Sequence, residues 1–388
     1  MLTVYRAPGV YQEEIFLQPE APLPTGIPGF VGIFNRRDRT VEPLANFPIL
    51  LHRQEEFLDS FTNTVTNALG VTSEGYLQTA IRGFFENGGT RCYVVRVESL
   101  QESAFKQAIA ALAPLTDLDL VAVPDVMLLA DENAILRLQQ AVLQHCAEQG
   151  DRFAILDALP KRTTQTVIAQ RQQLTIGQPE PVNGALYYPW LTNASGKLIP
   201  PCGHVTGIFA RSDRDRGVFK APANADIRDV LDLEQVIDNP TNAELNAGGI
   251  NCLRSFPGRG IRLWGARTLS RDPNWRYINV RRLFLTVGRV IERNQIGATF
   301  DFNAPQLWNR IQRELTAYFI QLWQDGALQG QTPAEAFYVK CDAETNPPEV
   351  REAGQVITEI GLAPAVPAEF IVVRVIQHVG ATEIIPLV

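Results

Sequence analysis

The sequence lacks the short patterns that announce common enzyme chemistries. It has no G-x-x-x-x-G-K-[ST] loop to cradle a phosphate and no G-x-S-x-G elbow to present a nucleophilic serine. The nearest glycine-rich stretch, Gly258-Arg259-Gly260, lacks the third glycine of a dinucleotide site and reads as a turn into a strand. The four histidines, His52, His145, His204 and His378, fall at no metal-ligand spacing. Five cysteines (Cys92, Cys146, Cys202, Cys252 and Cys341) stand far apart without a C-x-x-C pair. Their odd number and spacing indicate neither a zinc site nor a disulfide framework, so they read as small apolar residues in a reducing compartment. The adjacent acids Glu13-Glu14 and Glu55-Glu56 cannot face each other on a strand or a helix. They suit solvated faces or intersubunit ion pairs better than acid–base catalysis. No enzymatic activity, cofactor or metal is expected.

A basic surface is missing as well. The formal net charge is −7, and the densest basic cluster, at 211–216, alternates with Asp213 and Asp215 and nearly cancels itself. Direct nucleic-acid binding, which needs a basic face, is therefore not expected. The first residues lack the basic and apolar regions of a signal peptide. The longest apolar stretch, 120–130, is broken by Pro124 and Asp125 and is too short to span a bilayer. The expectation is synthesis and folding in the cytosol, with no transmembrane segment.

What is present is an ordinary globular composition, 45% hydrophobic and 20% charged over 388 residues, enough for two or three domains. Residues 1–29 read as an extended arm, because Pro8, Pro19, Pro22, Pro24 and Pro28 forbid a continuous helix. Apolar runs at 30–34, 92–97, 118–123, 153–157 and 185–188 suit buried strands. Helical patterns at 74–86, 102–112, 133–146 and 164–174 lie between them. This alternation predicts an α/β layer with a largely parallel sheet over 30–247, with an outer part at about 100–185.

The texture changes near residue 248, where a C-terminal domain of α+β character is expected to run to 378. It begins with a strand at 261–269 and helices at 277–292 and 305–323. The second helix carries an apolar stripe of Leu307, Trp308, Ile311, Leu315, Tyr318, Phe319, Leu322 and Trp323. A strand at 337–341 follows, then a short helix opened by Pro347-Pro348 and reaching about residue 360. Residues 370–376 give the strongest strand signal, and 379–388 form a second extended arm bearing Ile384, Ile385 and Leu387. No internal repeat is detected.

Several motifs then point one way. Tyr5-Arg6-Ala7-Pro8-Gly9-Val10-Tyr11-Gln12-Glu13-Glu14 closely resembles the P-G-V-Y-x-E-E opening of contractile-tail sheath proteins. Gly26-Ile27-Pro28-Gly29-Phe30-Val31-Gly32 looks like the start of that family's α/β domain, and Phe84-Phe85-Glu86-Asn87-Gly88-Gly89 with Cys92-Tyr93-Val94-Val95 is similar to another of its signatures. Lys220-Ala221-Pro222-Ala223-Asn224, Trp264-Gly265-Ala266-Arg267-Thr268, Tyr277-Ile278-Asn279-Val280-Arg281-Arg282 and Phe337-Tyr338-Val339-Lys340-Cys341-Asp342 complete the set in order. Residues 102–183 carry least of it and rest mainly on periodicity.

The resemblance implies a structural subunit of a phage tail, R-type pyocin or related injection system. Hexameric rings of it would stack around an inner tube, with baseplate and terminal cap proteins as further partners. It implies that Val4, Tyr5, Pro8, Gly9, Val10, Tyr11, Glu13 and Glu14 at one end, and Ile384, Ile385 and Leu387 at the other, lie on strands given to neighbouring copies. The receiving strands would include Phe337, Val339, Phe370, Val372, Arg374 and Ile376. Glu349, Glu352 and Glu359 would face the tube. Particles of this kind assemble in the cytoplasm and are released or docked to a membrane through other subunits. Physically this is β-augmentation between identical chains, each backbone bond contributing about 1 kcal/mol net. Two alternatives stay open: a non-contractile tail or capsid component using the same exchange, and an α/β enzyme.

Overall fold

Strands β1 (Pro28–Gly32), β2 (Pro48–Leu51), β3 (Cys92–Arg96), β4 (Leu120–Ala122), β5 (Phe153–Asp157) and β6 (Gly184–Tyr188) join β7 (Ala225–Asp226), β8 (Ile250–Phe256) and β9 (Gly260–Trp264) in one nine-stranded sheet. This computed structural model describes residues 23–38, 45–66, 72–295, 301–369, 373–378 and 381–386. The strand order is β7-β9-β8-β6-β5-β4-β1-β3-β2. The central run from β8 to β3 is parallel, and antiparallel strands close both edges. β1, β4, β5 and β6 are buried along their whole length, as a parallel sheet covered on both faces requires.

Successive side chains on a strand point to opposite faces, so each strand feeds two cores. Phe30, Phe153, Ile155 and Tyr187 pack beneath helices α1 (Leu77–Glu86) and α5 (Cys202–Arg216), with Phe84, Val205 and Phe209. Val31, Ala154, Leu156 and Leu186 face α2 (Glu102–Ala110), α3 (Glu132–Gln149), α4 (Thr164–Leu174) and α6 (Asn239–Ala247). The expected α/β layer is therefore present. It runs beyond residue 247, because β8 and β9 hydrogen-bond into the same sheet.

The reason α5 lies so close to α1 is the pair Gly203 and Gly207. A Cβ at Gly203 would sit 2.3 Å from the Ala80 Cα, and one at Gly207 2.4 Å from the Phe84 carbonyl oxygen. Between them His204 is 1% exposed, and neither ring nitrogen has a hydrogen-bond partner. Burial pushes its pKa down to about 4. The folded chain thus holds this imidazole neutral, whereas the unfolded chain protonates it below about 6.5. Its contribution is complete above about pH 6.5 and is lost as pH falls toward 4, a swing on the order of 3 kcal/mol. Urea midpoints should drop across that window, and more shallowly in His204→Met.

Asp125 ties this face together. Fully buried, it accepts hydrogen bonds from the Ile33, Tyr76 and Leu77 amides (2.8, 2.6 and 3.0 Å) and from Asn63 Nδ2 (2.9 Å). It thereby satisfies the first amides of α1, which no intrahelical carbonyl can reach.

A third core belongs to the C-terminal part. Helices α7 (Ile278–Gln295) and α8 (Pro305–Gln324) pack Leu283, Val287, Leu307, Trp308, Ile311, Leu315 and Phe319 against Phe337 of β10 (Phe337–Lys340). Tyr318, Leu322 and Trp323 complete the expected α8 stripe at its margin. Because Ile278 and Leu285 of α7 belong to the sheet core while Leu283 and Val287 belong to this one, α7 packs into both.

Candidate intersubunit interface

At Gly26 a φ of +72°, and the 2.5 Å that would separate an added Cβ from the Ala210 Cα, exclude a side chain. The Gly26 and Ile27 amides donate to the two oxygens of Asp119 (3.0 and 2.7 Å). Arg282 of α7 donates to the same carboxylate (2.8 Å) and grips Asp213 of α5 through both oxygens (2.7 and 2.6 Å), its guanidinium lying over Phe209. Side-chain exposure of these three charged groups is 5% or less. Burial works against the Arg282 charge, but Asp213 and Asp119 outweigh it and hold its pKa up. One buried cluster therefore joins the Gly26–Ile27 backbone to α5 and α7. Sequence reading misses it: Asp213 stands in a charge cluster that cancels itself, and Arg282 is only one member of a motif. Helical spacing, which sets Asp213 four residues after Phe209 on one face, is the available signal.

At the other end β10 pairs antiparallel with β11 (Glu359–Leu362), Phe337 opposite Leu362 and Val339 opposite Ile360. Phe337 is buried with its ring 5.5 Å from that of Phe319, and the Val339 carbonyl accepts from Gln312 Nε2 (3.0 Å). Strand β12 (Val373–His378) carries Arg374 and Ile376, which stand opposite Ile385 and Glu383 of β13 (Ala381–Pro386). Residues 381–386, including Ile384 and Ile385 of the segment expected to be an extended arm, pair antiparallel with 373–378. Val4, Tyr5, Pro8, Gly9, Val10, Tyr11, Glu13, Glu14, Phe370, Val372 and Leu387 lie outside the described residues.

Of the three acids expected to share one helix, Glu349 and Glu352 lie on a five-residue helix, Pro348–Glu352, and Glu359 lies on β11. Gly354, at φ +71°, stops the helix well before residue 360. All three are exposed, and Glu359 accepts from the Tyr338 hydroxyl (2.6 Å). The loop carrying them is held by Asn346, 1% exposed, which donates to the Asp342 and Ile357 carbonyls (3.1 and 3.0 Å) and accepts from the Ile357 amide (2.7 Å). Asn303 adds a bond to the Gln355 carbonyl (2.7 Å).

The described residues form an α/β body, with short β-strand pairs gathered in its C-terminal part. No group of three or more potential metal ligands occurs among the described residues, and none of their helices is long and apolar enough to cross a membrane. Residues 102–269 match the phage tail sheath protein central domain, and residues 270–378 match the phage tail sheath C-terminal domain. The chain belongs to the phage tail sheath family. The tail sheath protein of Salmonella phage ViI is 29% identical over 179 residues, covering 44% of this chain; the match spans about a quarter of that relative's length (27%). Among solved structures, the helical sheath of the anti-feeding prophage in its contracted state is similar at a TM-score of 0.76 and 29% identity, covering 97% of this chain and 100% of that one. The sheath complex of the extracellular contractile injection system PVC, also contracted, matches at 0.74 and 29%, covering 98% and 99%.

Proposed function

We propose that this chain is the sheath subunit of a contractile injection system or phage-like tail. In this reading it assembles in the cytosol as hexameric rings stacked around an inner tube, between a baseplate and a terminal cap. Contraction then drives the tube through a target envelope. The observation that carries the reading is the end-to-end likeness to sheath chains solved in contracted assemblies. Residues 4–16 and 382–388 are the strands given to neighbours, and the β10 and β12 regions receive them. Exchange of β13 from its own β12 to that of a neighbour replaces each backbone bond with an equivalent one, as in a domain swap, so it costs little. Head-to-tail contacts of this kind close into rings or extend as helices. Movement between two packings of one rigid subunit supplies the contraction, driven by the better-packed lattice. Glu349 and Glu352, held out by the Asn346 clamp, would face basic groups on the tube.

Deleting residues 1–16 and imaging the purified product by electron microscopy tests this. The reading expects single subunits or isolated rings and no tubes. Tubes of normal length that still contract would overturn it.

A further inference from the structure

One cavity of the body, about 430 Å³, is lined by four arginines: Arg171 on α4, and Arg267, Arg271 and Arg276 on the segment that follows β9. Arg267 is already neutralised. It pairs with Glu369 (3.0 and 2.5 Å) and donates to the Asn246 carbonyl (3.0 Å). The two hydroxyls in the wall are committed as well, Thr268 donating to the Trp275 carbonyl (2.6 Å) and Ser270 to Glu180.

The other three guanidiniums share the cavity without an ion pair among the described residues. Arg171 donates through Nη2 to the Leu269 carbonyl (2.9 Å), and its Nε is buried without a partner. The Arg271 guanidinium reaches only a hydroxyl, Thr175 Oγ1 (3.0 Å), four residues on from Arg171 and so on the same side of the helix end. That of Arg276 makes no hydrogen bond or ion pair among the described residues. Burial, and then the Arg271 charge, push the Arg171 pKa down, and Glu180 offsets them only in part. Both oxygens of Glu180 are already bonded, to the Ser270 hydroxyl and the Arg271 amide. Three cations against this one carboxylate leave two positive charges unmatched.

Like charges gathered around one concave space repel unless an anion joins them. A carboxylate would supply half of the missing charge. A phosphate group carries about −1.5 to −2 at neutral pH and offers three acceptor oxygens. Such a group can accept from several guanidinium forks at once, the recognition for which arginine is best suited. We propose that this cavity binds a phosphate-class anion, inorganic phosphate or the phosphate of a small monoester, held by Arg171 Nε and the guanidiniums of Arg271 and Arg276. Bound there, it ties α4 to the 267–276 segment. The site lies within one subunit, so the inference goes beyond the sheath reading and does not depend on it.

Calorimetric titration of the purified full-length chain with inorganic phosphate and with glycerol phosphate, at constant ionic strength, tests this. Saturable binding of at least one of them is expected, and the tighter of the two identifies the source. R271Q/R276Q should weaken that binding at least about tenfold. Arg310→Gln, which removes an exposed arginine of α8 outside the cavity, should keep the wild-type affinity. Heats that never saturate, or saturable binding that R271Q/R276Q leaves unchanged, overturn the proposal. Acetate binding as tightly as phosphate also overturns it and assigns the cavity to a carboxylate, such as a neighbouring protein would bring. If R271Q/R276Q does not fold, R276Q, at an exposed side chain with no partner among the described residues, carries the same comparison. A chain that forms no rings or tubes overturns the sheath reading alone, a distinct outcome.

Discussion

Arg282→Met is expected to lower the stability of the chain by about 3–5 kcal/mol, the range seen when one member of a buried ion cluster is removed. Methionine roughly fills the volume but leaves the buried Asp213 and Asp119 carboxylates without the cation they share. That loss is a large fraction of the roughly 5–15 kcal/mol typical of a folded domain. Arg282→Lys should recover only part of it, since an ammonium cannot bond both oxygens of Asp213 and still reach Asp119. Urea unfolding midpoints give the ordering directly: wild type, then the lysine variant, then the methionine variant. Equal midpoints for all three would show that the cluster does not hold the Gly26–Ile27 backbone, α5 and α7 together.

Asp125→Ala should be comparably severe, with a loss of more than about 3 kcal/mol. Four donors lose their acceptor at once, three of them backbone amides, and each orphaned buried donor costs roughly 1–3 kcal/mol with partial relief from relaxation. Asp125→Asn should be milder, because its amide oxygen still accepts while its NH2 meets donors. Hydrogen exchange at Tyr76 and Leu77 locates the effect, and both amides should lose protection before the amides of the central strands do. A uniform loss across the sheet would mean that the carboxylate stabilises the chain globally rather than at the start of α1.

These residues mark where the sequence is readable and where it is not. The alternation of apolar runs and amphipathic segments predicts the parallel layer, because strands buried on both faces must be apolar throughout and helices on each side must be amphipathic. Helix α5 escapes notice. Gly203, Thr206 and Gly207 disfavour a helix locally, and only its contact with Ala80 and Phe84 of α1 explains them. Beyond residue 248, β8 and β9 still belong to the main sheet, and the third core begins with α7. Glu359 reads as part of a helix that Gly354 in fact stops. The Arg282 cluster joins residues 163 and 69 positions apart in sequence, and no local pattern records such a partner. The terminal arms are an expectation from resemblance alone, since a proline-broken segment with little apolar surface cannot specify its own partner.

The central claim is that copies of this chain are connected through their ends, and a cryo-electron microscopy map of the assembled full-length protein tests it most directly. The account predicts six-fold rings in which residues 4–16 of one subunit run as a strand against the C-terminal part of a neighbour. A map in which each chain's ends pack only on its own body, or an assembly without six-fold rings, would contradict it.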